Sequence, residues 1–325
     1  MPWPAPVTIA IFPSRSPGMT CSLSSLGAVS RRQRGALRVG PEALLTLASE
    51  RCRMRRGSTM GLEVETREGL EIERHDGGVV VLRLARPDRR NAVDNATARA
   101  YTQFLNDANV DSSVRSIVLT GTEKNYCTGA DVPPGATKMN TLDYRYATED
   151  YRSWFKALWE VEKPVVSAVN GNVAGAGWMM ALLADLVVAN TDARWTHVFT
   201  RRGMVPHAGD PYFLSKIIPF HRLNEIALLS DTLTSADLDK WGLINRCVAA
   251  DDVLPTAMEL ATRLAAGPTR TLGLTKRLYR RALSTDMATS FEDERNATAL
   301  ISTTKDRVEG VMSFVEGRPA NFIGD

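Results

Sequence analysis

Histidine and cysteine are scarce in this chain, with four of each among 325 residues. The cysteines are Cys21, Cys52, Cys127 and Cys247, which lie far apart and form no CxxC pair. The sequence therefore favours neither a disulfide framework nor a zinc site, and a reducing compartment fits it best. Because no cluster of residues requires a metal ion or a redox cofactor, we predict neither.

The chain also lacks a long uninterrupted apolar run. Residues 169–188 come nearest, but they contain several glycines and Asp185, whereas a membrane-spanning helix needs about 18 or more apolar residues. The same run is incomplete as a GxGxxG dinucleotide fingerprint, because Met180 occupies the position of the third glycine after Gly175 and Gly177. We therefore predict no membrane span, and the support for a dinucleotide site is weak.

Lysine is absent from residues 1–60, which contain nine arginines and only two acidic residues. The rest of the chain has 31 basic and 35 acidic residues, a balance that argues against a nucleic-acid-binding domain. An arginine-rich, acid-poor leader is compatible with an organelle transit peptide, a disordered tail, or translated sequence upstream of a start at Met60. We expect a cytoplasmic protein, or a mitochondrial one if the source is eukaryotic and the leader is a transit peptide.

Strand and helix patterns alternate after the leader. The hydrophobic periods predict helices at 93–109 and 142–162 and a mostly helical last third from about residue 215, broken at Gly267-Pro268. Strands are predicted at 77–86, 115–121, 164–171 and 185–190. This alternation favours parallel strands joined by crossover helices.

Small residues mark the start of the helix that follows the third predicted strand, in the sequence "NGNVAGAGWMMA" (170–181). Glycine and alanine there let a ligand approach free backbone N–H groups at the positive end of a helix. Such a position favours developing negative charge, as an oxyanion hole requires. Close helix packing explains the small residues of this segment equally well.

A second segment favours an oxyanion hole over close helix packing as the reason for these small residues. The motif "VLTGTEKNYCTGADV" (118–132), followed by "KPVVSAVNGNVAGAG" (163–177), resembles the enoyl-CoA hydratase/isomerase, or crotonase, superfamily. The resemblance extends to four further segments in that family's order, the first of which precedes residue 118: "RPDRRNAVD", "RRGMVPHAG", "LTSADLDKWGLINRCV" and "DRVEGVMSFVEGRPANF". The resemblance covers about residues 70–322.

The resemblance implies an α/β fold, the crotonase (ClpP-like) spiral of β-β-α units. We expect the spiral core at 61–265 and a C-terminal helical region at 266–325 that forms homotrimers, which often pair into hexamers. The substrate would be an acyl-CoA thioester of the kind used in fatty acid metabolism, with no cofactor other than the coenzyme A of the substrate.

The resemblance also assigns residues. The backbone N–H groups of Ala130 and Ala176 would hold the thioester oxygen. Arg89 is a candidate for contact with the ribose or phosphate of CoA, and Ala130, Asp131 and Val132 would line the CoA channel.

The sequence departs from the family at the positions of the two glutamates that serve hydration, which are Met179 and Phe199 here. Neither side chain can transfer a proton, so we expect a drier, more apolar acyl pocket, shaped by residues 178–180. His207 stands where other family members use an aspartate base, and an imidazole titrates near neutral pH. Asp210 would orient His207 or act as the acid itself.

Several reactions therefore remain open. Double-bond isomerisation fits a single base best, and a hydratase-like reaction stays possible. Because an imidazole can also activate water, a thioester or carbon–carbon bond hydrolase is an alternative. The loss of both glutamates is also compatible with a non-catalytic CoA- or RNA-binding homologue.

Overall fold

The computed structural model describes residues 63–132 and 140–325. The predicted leader at 1–60 lies outside the described residues, so its nature stays a prediction. The strands are β1 Glu63–Arg67, β2 Leu70–Arg74, β3 Val79–Leu84, β4 Ser116–Thr120, β5 Asn125–Cys127, β6 Val165–Val169, β7 Asn172–Ala174, β8 Leu186–Asn190, β9 Arg194–Thr196, β10 Thr232–Thr234 and β11 Arg246–Val248. All four strands predicted from sequence are present as β3, β4, β6 and β8.

The described ranges form two sheets. In the larger, seven strands follow the order β1-β2-β3-β4-β6-β8-β11. Its first three strands are antiparallel, and every pairing from β3 to β11 is parallel. The prediction of parallel strands is therefore confirmed for the centre of this sheet, where β4 and β6 are buried along their whole length.

The smaller sheet has the order β10-β9-β7-β5 and consists of three-residue strands. β5, β7 and β9 are parallel, while β10 is antiparallel to β9. This sheet escapes prediction because three residues are too few to show an alternating pattern. It matters for function because β5 and β7 lead directly into the two turns of the candidate site.

The α-helices are α1 Asn95–Val110, α2 Thr141–Ala147, α3 Glu149–Glu160, α4 Gly177–Leu182, α5 Asp210–Ile217, α6 Phe220–Asn224, α7 Ser235–Asp239, α8 Val253–Ala265, α9 Thr269–Ala282, α10 Met287–Ile301 and α11 Lys305–Glu316. Asp94 caps α1 by accepting a hydrogen bond from the Thr97 amide at 2.8 Å. The single helix predicted at 142–162 is instead two helices that meet at Thr148.

Two apolar clusters hold the core together. The larger joins one face of the main sheet to α1, α3, α4 and the smaller sheet. The other packs α8 against the opposite face. The predicted break at Gly267-Pro268 separates α8 from α9. In the described ranges, no helix has both the length and the apolar character needed to cross a membrane.

Candidate active site

The turn after β5 holds the first predicted oxyanion residue. Val93 donates a backbone hydrogen bond to Gly129 at 2.8 Å and accepts one from Asp131 at 2.7 Å. This pairing flanks Ala130, whose own amide donates to no residue in the described parts of the chain. Gly129 has a φ of +97°, a conformation that a residue with a side chain rarely adopts.

The second oxyanion residue lies immediately before α4. Ala176 has helical backbone angles, and its amide donates no hydrogen bond to any residue that the structure describes. A Cβ added to Gly129 would lie 3.2 Å from the Ala176 nitrogen. The two turns are therefore in direct contact, and Ala130 and Ala176 both line the same pocket.

That pocket has a volume of about 530 Å³. Its walls combine apolar side chains with several arginines and one histidine. The lining includes Arg86, Arg89, Ala96, Ala130, Asp131, Val132, Tyr151, Ala176, Val198, Phe199, Arg202, Met204 and His207. Six of the seven residues predicted from sequence for this site are in the lining, and Asp210 is not.

His207 is an exposed residue on the pocket wall. Its Nδ1 atom lies 3.2 Å from the carbonyl oxygen of Val205. Because a carbonyl can only accept, this hydrogen bond assigns the proton to Nδ1 and leaves the lone pair of the neutral ring on Nε2. The ring also packs edge-on against Phe199, with centroids 4.8 Å apart.

The carboxylate of Asp210 is not a partner of His207. It is buried and lies 2.8 Å from Nε2 of His197, which is also fully buried. The only backbone link between the two predicted residues is a 3.3 Å hydrogen bond from the Asp210 amide to the His207 carbonyl. The geometry therefore does not support Asp210 as a residue that directly orients the His207 ring.

The prediction that residues 178–180 shape the pocket is wrong. Trp178, Met179 and Met180 are fully buried in the core and do not line the pocket. Helix α4, to which they belong, packs against strands of both sheets, and these side chains are part of the larger core cluster. The apolar wall comes instead from Val198, Phe199 and Met204, together with other elements.

Acidic residues restrain the arginines at the rim to different extents. Arg86 is half-buried and forms ion pairs with Asp94 at 2.9 Å and Asp131 at 3.0 Å. Asp131 therefore holds the turn in place, while Arg89, with 56% of its side chain exposed, lies 3.5 Å from it. Val132 is exposed at the edge of the pocket.

Several lining residues were not identified from the sequence, and Arg202 and Tyr151 are two polar ones among them. Arg202 is an exposed cation, and Tyr151 donates its hydroxyl to the Val93 carbonyl at 2.9 Å. Burial raises the pKa of Tyr151 to about 12, so it stays protonated at neutral pH. The arginine pair that precedes the "GMVP" turn was a usable signal for Arg202, whereas Tyr151 gave none within its helix.

Cys127 lies close to the site but is not a nucleophile. Its side chain is fully buried, and burial raises the pKa of its thiol to about 12. A nucleophilic cysteine needs a lowered pKa. Across residues 63–132 and 140–325, no group of three or more potential ligands could hold a metal ion.

Comparison with known proteins places this fold and site in a family. A family model described as "Enoyl-CoA hydratase/isomerase" matches residues 74–325. The 1,2-epoxyphenylacetyl-CoA isomerase of Escherichia coli (strain K12) is 31% identical, over 76% of this chain and 95% of the relative. The 2,3-dehydroadipyl-CoA hydratase of the same organism is 30% identical over the same shares of the two chains.

A comparison with a solved structure supports the same family. The crystal structure of an enoyl-CoA hydratase from Polaromonas sp. JS666 superposes with a TM-score of 0.73 at 25% identity, covering 81% of this chain and 99% of that one. The chain belongs to the enoyl-CoA hydratase/isomerase family and has the crotonase fold. It is therefore an acyl-CoA enzyme by family.

Proposed function

We propose that this protein isomerises the double bond of an enoyl-CoA thioester through an enolate. The amides of Ala130 and Ala176 would donate to the thioester oxygen, and Nε2 of His207 would move the proton. The observation that carries the proposal is that one histidine and two residues whose amides donate to no described residue line the same pocket.

The proposed reaction moves one proton from one carbon of the substrate to another, so it needs no further reactant. Nε2 removes the α or γ proton of the bound thioester, and the electrons of that C–H bond move towards the thioester oxygen. The oxyanion is stabilised by the two fixed N–H groups, where one donor is typically worth about 100- to 1,000-fold in rate. The protonated imidazole then returns the proton to the other carbon.

Apolar surroundings favour isomerisation over hydration. Phe199 is buried, and its ring centroid lies 4.8 Å from that of His207. By the resemblance in sequence, it would take the place of one glutamate of the family's hydratases. Neither it nor Met179 can activate water, because both side chains lack a titratable group. The name of the E. coli isomerase shows that rearrangement of a CoA thioester occurs within the family.

We also propose that Arg89 and Arg202 contact the phosphates or ribose of coenzyme A. Both line the pocket and keep exposed guanidinium groups. Arginine suits phosphate because its planar fork of donors binds two oxygens at once. Asp131 and Val132 would form the neighbouring part of the channel.

The assembly proposed is a homotrimer or a hexamer. Several large apolar side chains of α10 and α11 are exposed in the single chain, including Met287, Phe291, Leu300 and Phe314. Exposed apolar surface of this extent is typical of an interface between subunits.

The proposal is tested with a panel of enoyl- and acyl-CoA thioesters in D2O, analysed by mass spectrometry. Deuterium incorporation with a shifted double bond is expected. Gain of water would indicate a hydratase, and release of free CoA a hydrolase. If no thioester reacts, a non-catalytic homologue is indicated, and salt-dependent RNA binding that disappears when residues 1–60 are deleted would identify an RNA-binding one.

The variant His207→Ala tests the base. Turnover should fall by at least about 100-fold, the lower range for a lost general base, while the Kd for a saturated acyl-CoA stays within about threefold. Val205→Ala serves as a control because it keeps the backbone carbonyl that orients the ring. Normal turnover in His207→Ala would show that another group moves the proton.

A further inference from the structure

A second cavity of about 450 Å³ adjoins the candidate active site. Thr148, Tyr151 and His207 line both cavities. We call the second cavity the side pocket, and its apolar walls are Phe155, Trp159, Leu183, Ala208, Tyr212 and Phe213. The proposed base thus lies on the boundary between the two spaces.

The walls of the side pocket are aromatic and firmly packed. The ring of Trp159 meets Phe213 edge-on with centroids 5.7 Å apart, and Tyr212 at 6.5 Å. Phe155 and Leu183 are each only 4% exposed. Such walls favour an apolar ligand, because aromatic surfaces recover free energy by removing apolar area from water.

Charge separates the roles of the two cavities. The side pocket contains Arg152 and Lys156, but Arg152 pairs with Glu149 at 2.8 Å and Lys156 lies 3.8 Å from Glu160. The main pocket instead has Arg202, which forms no ion pair with any described residue, and Arg89, which lies 3.5 Å from Asp131. Phosphate is therefore better accommodated in the main pocket, which leaves the side pocket for the opposite, apolar end of the substrate.

We infer that the side pocket binds a bulky apolar acyl group, either a medium-to-long alkyl chain or an aryl ring, that extends past His207. This inference rests on the proposed function, because it takes the ligand to be an acyl-CoA. It deepens that proposal by assigning a substrate class, namely acyl groups large enough to occupy a cavity of about 450 Å³ next to the main pocket.

Binding of saturated thioesters tests the inference without requiring turnover. The Kd values of butanoyl-, decanoyl- and phenylacetyl-CoA would be measured by calorimetry on the full chain. We expect decanoyl-CoA or phenylacetyl-CoA to bind at least about tenfold more tightly than butanoyl-CoA, since each fully buried methylene contributes up to about fourfold. The two larger ligands distinguish an alkyl-binding from an aryl-binding pocket.

Two variants assign the effect to the side pocket. Tyr212→Ala removes a wall that is 45% exposed, so folding should tolerate it, and the preference for the larger acyl group should fall about fivefold. Leu183→Phe adds volume inside and should weaken the larger ligands while leaving butanoyl-CoA unchanged. The matched control is Tyr279→Ala, which removes an exposed tyrosine of α9 that lines neither cavity.

Equal affinity for all three thioesters would overturn the inference, as would a preference that neither variant changes. The first result is also expected if a second copy of the chain fills the side pocket in solution. Selective binding of the larger thioesters without any turnover would instead support the side pocket and contradict the proposed isomerisation.

Discussion

Glycines at single positions allow the two turns of the candidate site to touch. A Cβ on Gly177 would overlap the carbonyl oxygen of Cys127, and one on Gly129 would approach the Ala174 oxygen to 3.1 Å. Because the backbones lie so close, the amides of Ala130 and Ala176 reach the same pocket. In these two turns, Ala130 and Ala176 would act through their backbone amides rather than their side chains.

Proline at position 176 provides a direct test of the oxyanion donor. Ala176 has a φ of −59°, which suits proline, and its amide donates to no described residue. Ala176→Pro should therefore remove the N–H, and kcat should fall about 100- to 1,000-fold, with the melting temperature measured to establish that the variant is folded. Ala176→Gly keeps the N–H and is the control. Comparable kcat values for the two variants would contradict the assignment.

The buried contact between His197 and Asp210 illustrates a limit of sequence reasoning at the residue scale. The family motifs located His207, but they could not reveal that Asp210 pairs with a histidine thirteen residues earlier. That contact depends on how the turn after β9 folds back to begin α5. By contrast, the cap of α1 joins Asp94 to an amide only three residues later, so it is a local interaction that the sequence can specify.

Helix α9 is attached to the main sheet by a largely buried ionic cluster. Asp185 accepts hydrogen bonds from Lys276 at 2.5 Å and Arg280 at 2.9 Å, and also from the Val165 amide at 2.8 Å. Gly273 lets the same helix lie against the Glu162 carbonyl, which would be 2.6 Å from an added Cβ. This carboxylate therefore joins the C-terminal helices to the core together with hydrogen bonds from Lys276 and Arg280 to the backbone carbonyls of Lys163 and Leu183.

Removing that carboxylate should weaken the attachment strongly. Asp185→Asn leaves two largely buried cations without a counter-ion, and breaking a buried pair in this way costs about 3–5 kcal/mol of unfolding free energy. Arg277→Met breaks an exposed pair with Glu162 and should cost under about 1 kcal/mol. Urea unfolding compares the two variants, and equal losses would show that the cluster is not the anchor.

The cluster also predicts a dependence of stability on pH. Burial lowers the pKa of Lys276 to about 8, although Asp185 opposes the shift. Between about pH 8 and 10.5 the unfolded chain therefore retains a proton that the folded chain has lost, so this residue makes the protein more stable as pH rises.

The expected size of that change is about 1–2 kcal/mol of unfolding free energy between pH 7.5 and 9.5. It is measured as the difference between wild type and Lys276→Met, so that other titrating groups cancel. A difference that falls with rising pH would contradict the lowered pKa.

At the scale of the whole molecule, the C-terminal helices expose several large apolar side chains in the single chain. Phe314 is 87% exposed on α11, and Met287 is 70% exposed on α10. Burying such side chains between subunits would stabilise the assembly, because each contributes about 1.5–3 kcal/mol when fully removed from water.

We predict a trimer or a hexamer in sedimentation experiments, with three or six copies of the 35.7 kDa chain. Phe314→Glu should shift the distribution towards smaller species because it brings a charge into the interface. Val110→Glu is a matched control, since Val110 is also 87% exposed but lies at the end of α1. A monomeric wild type would refute the proposed assembly.

The sequence alone determined the alternation of strands and helices in the main sheet, the cap of α1 and the two small-residue turns. These follow from local periodicity, capping and backbone freedom, which neighbouring residues specify. Only the tertiary structure decided that residues 178–180 are core, that Asp210 pairs with His197, and that a side pocket continues past His207. Each of these depends on contacts between segments that are distant in the sequence, and a local sequence pattern does not specify which segments come into contact.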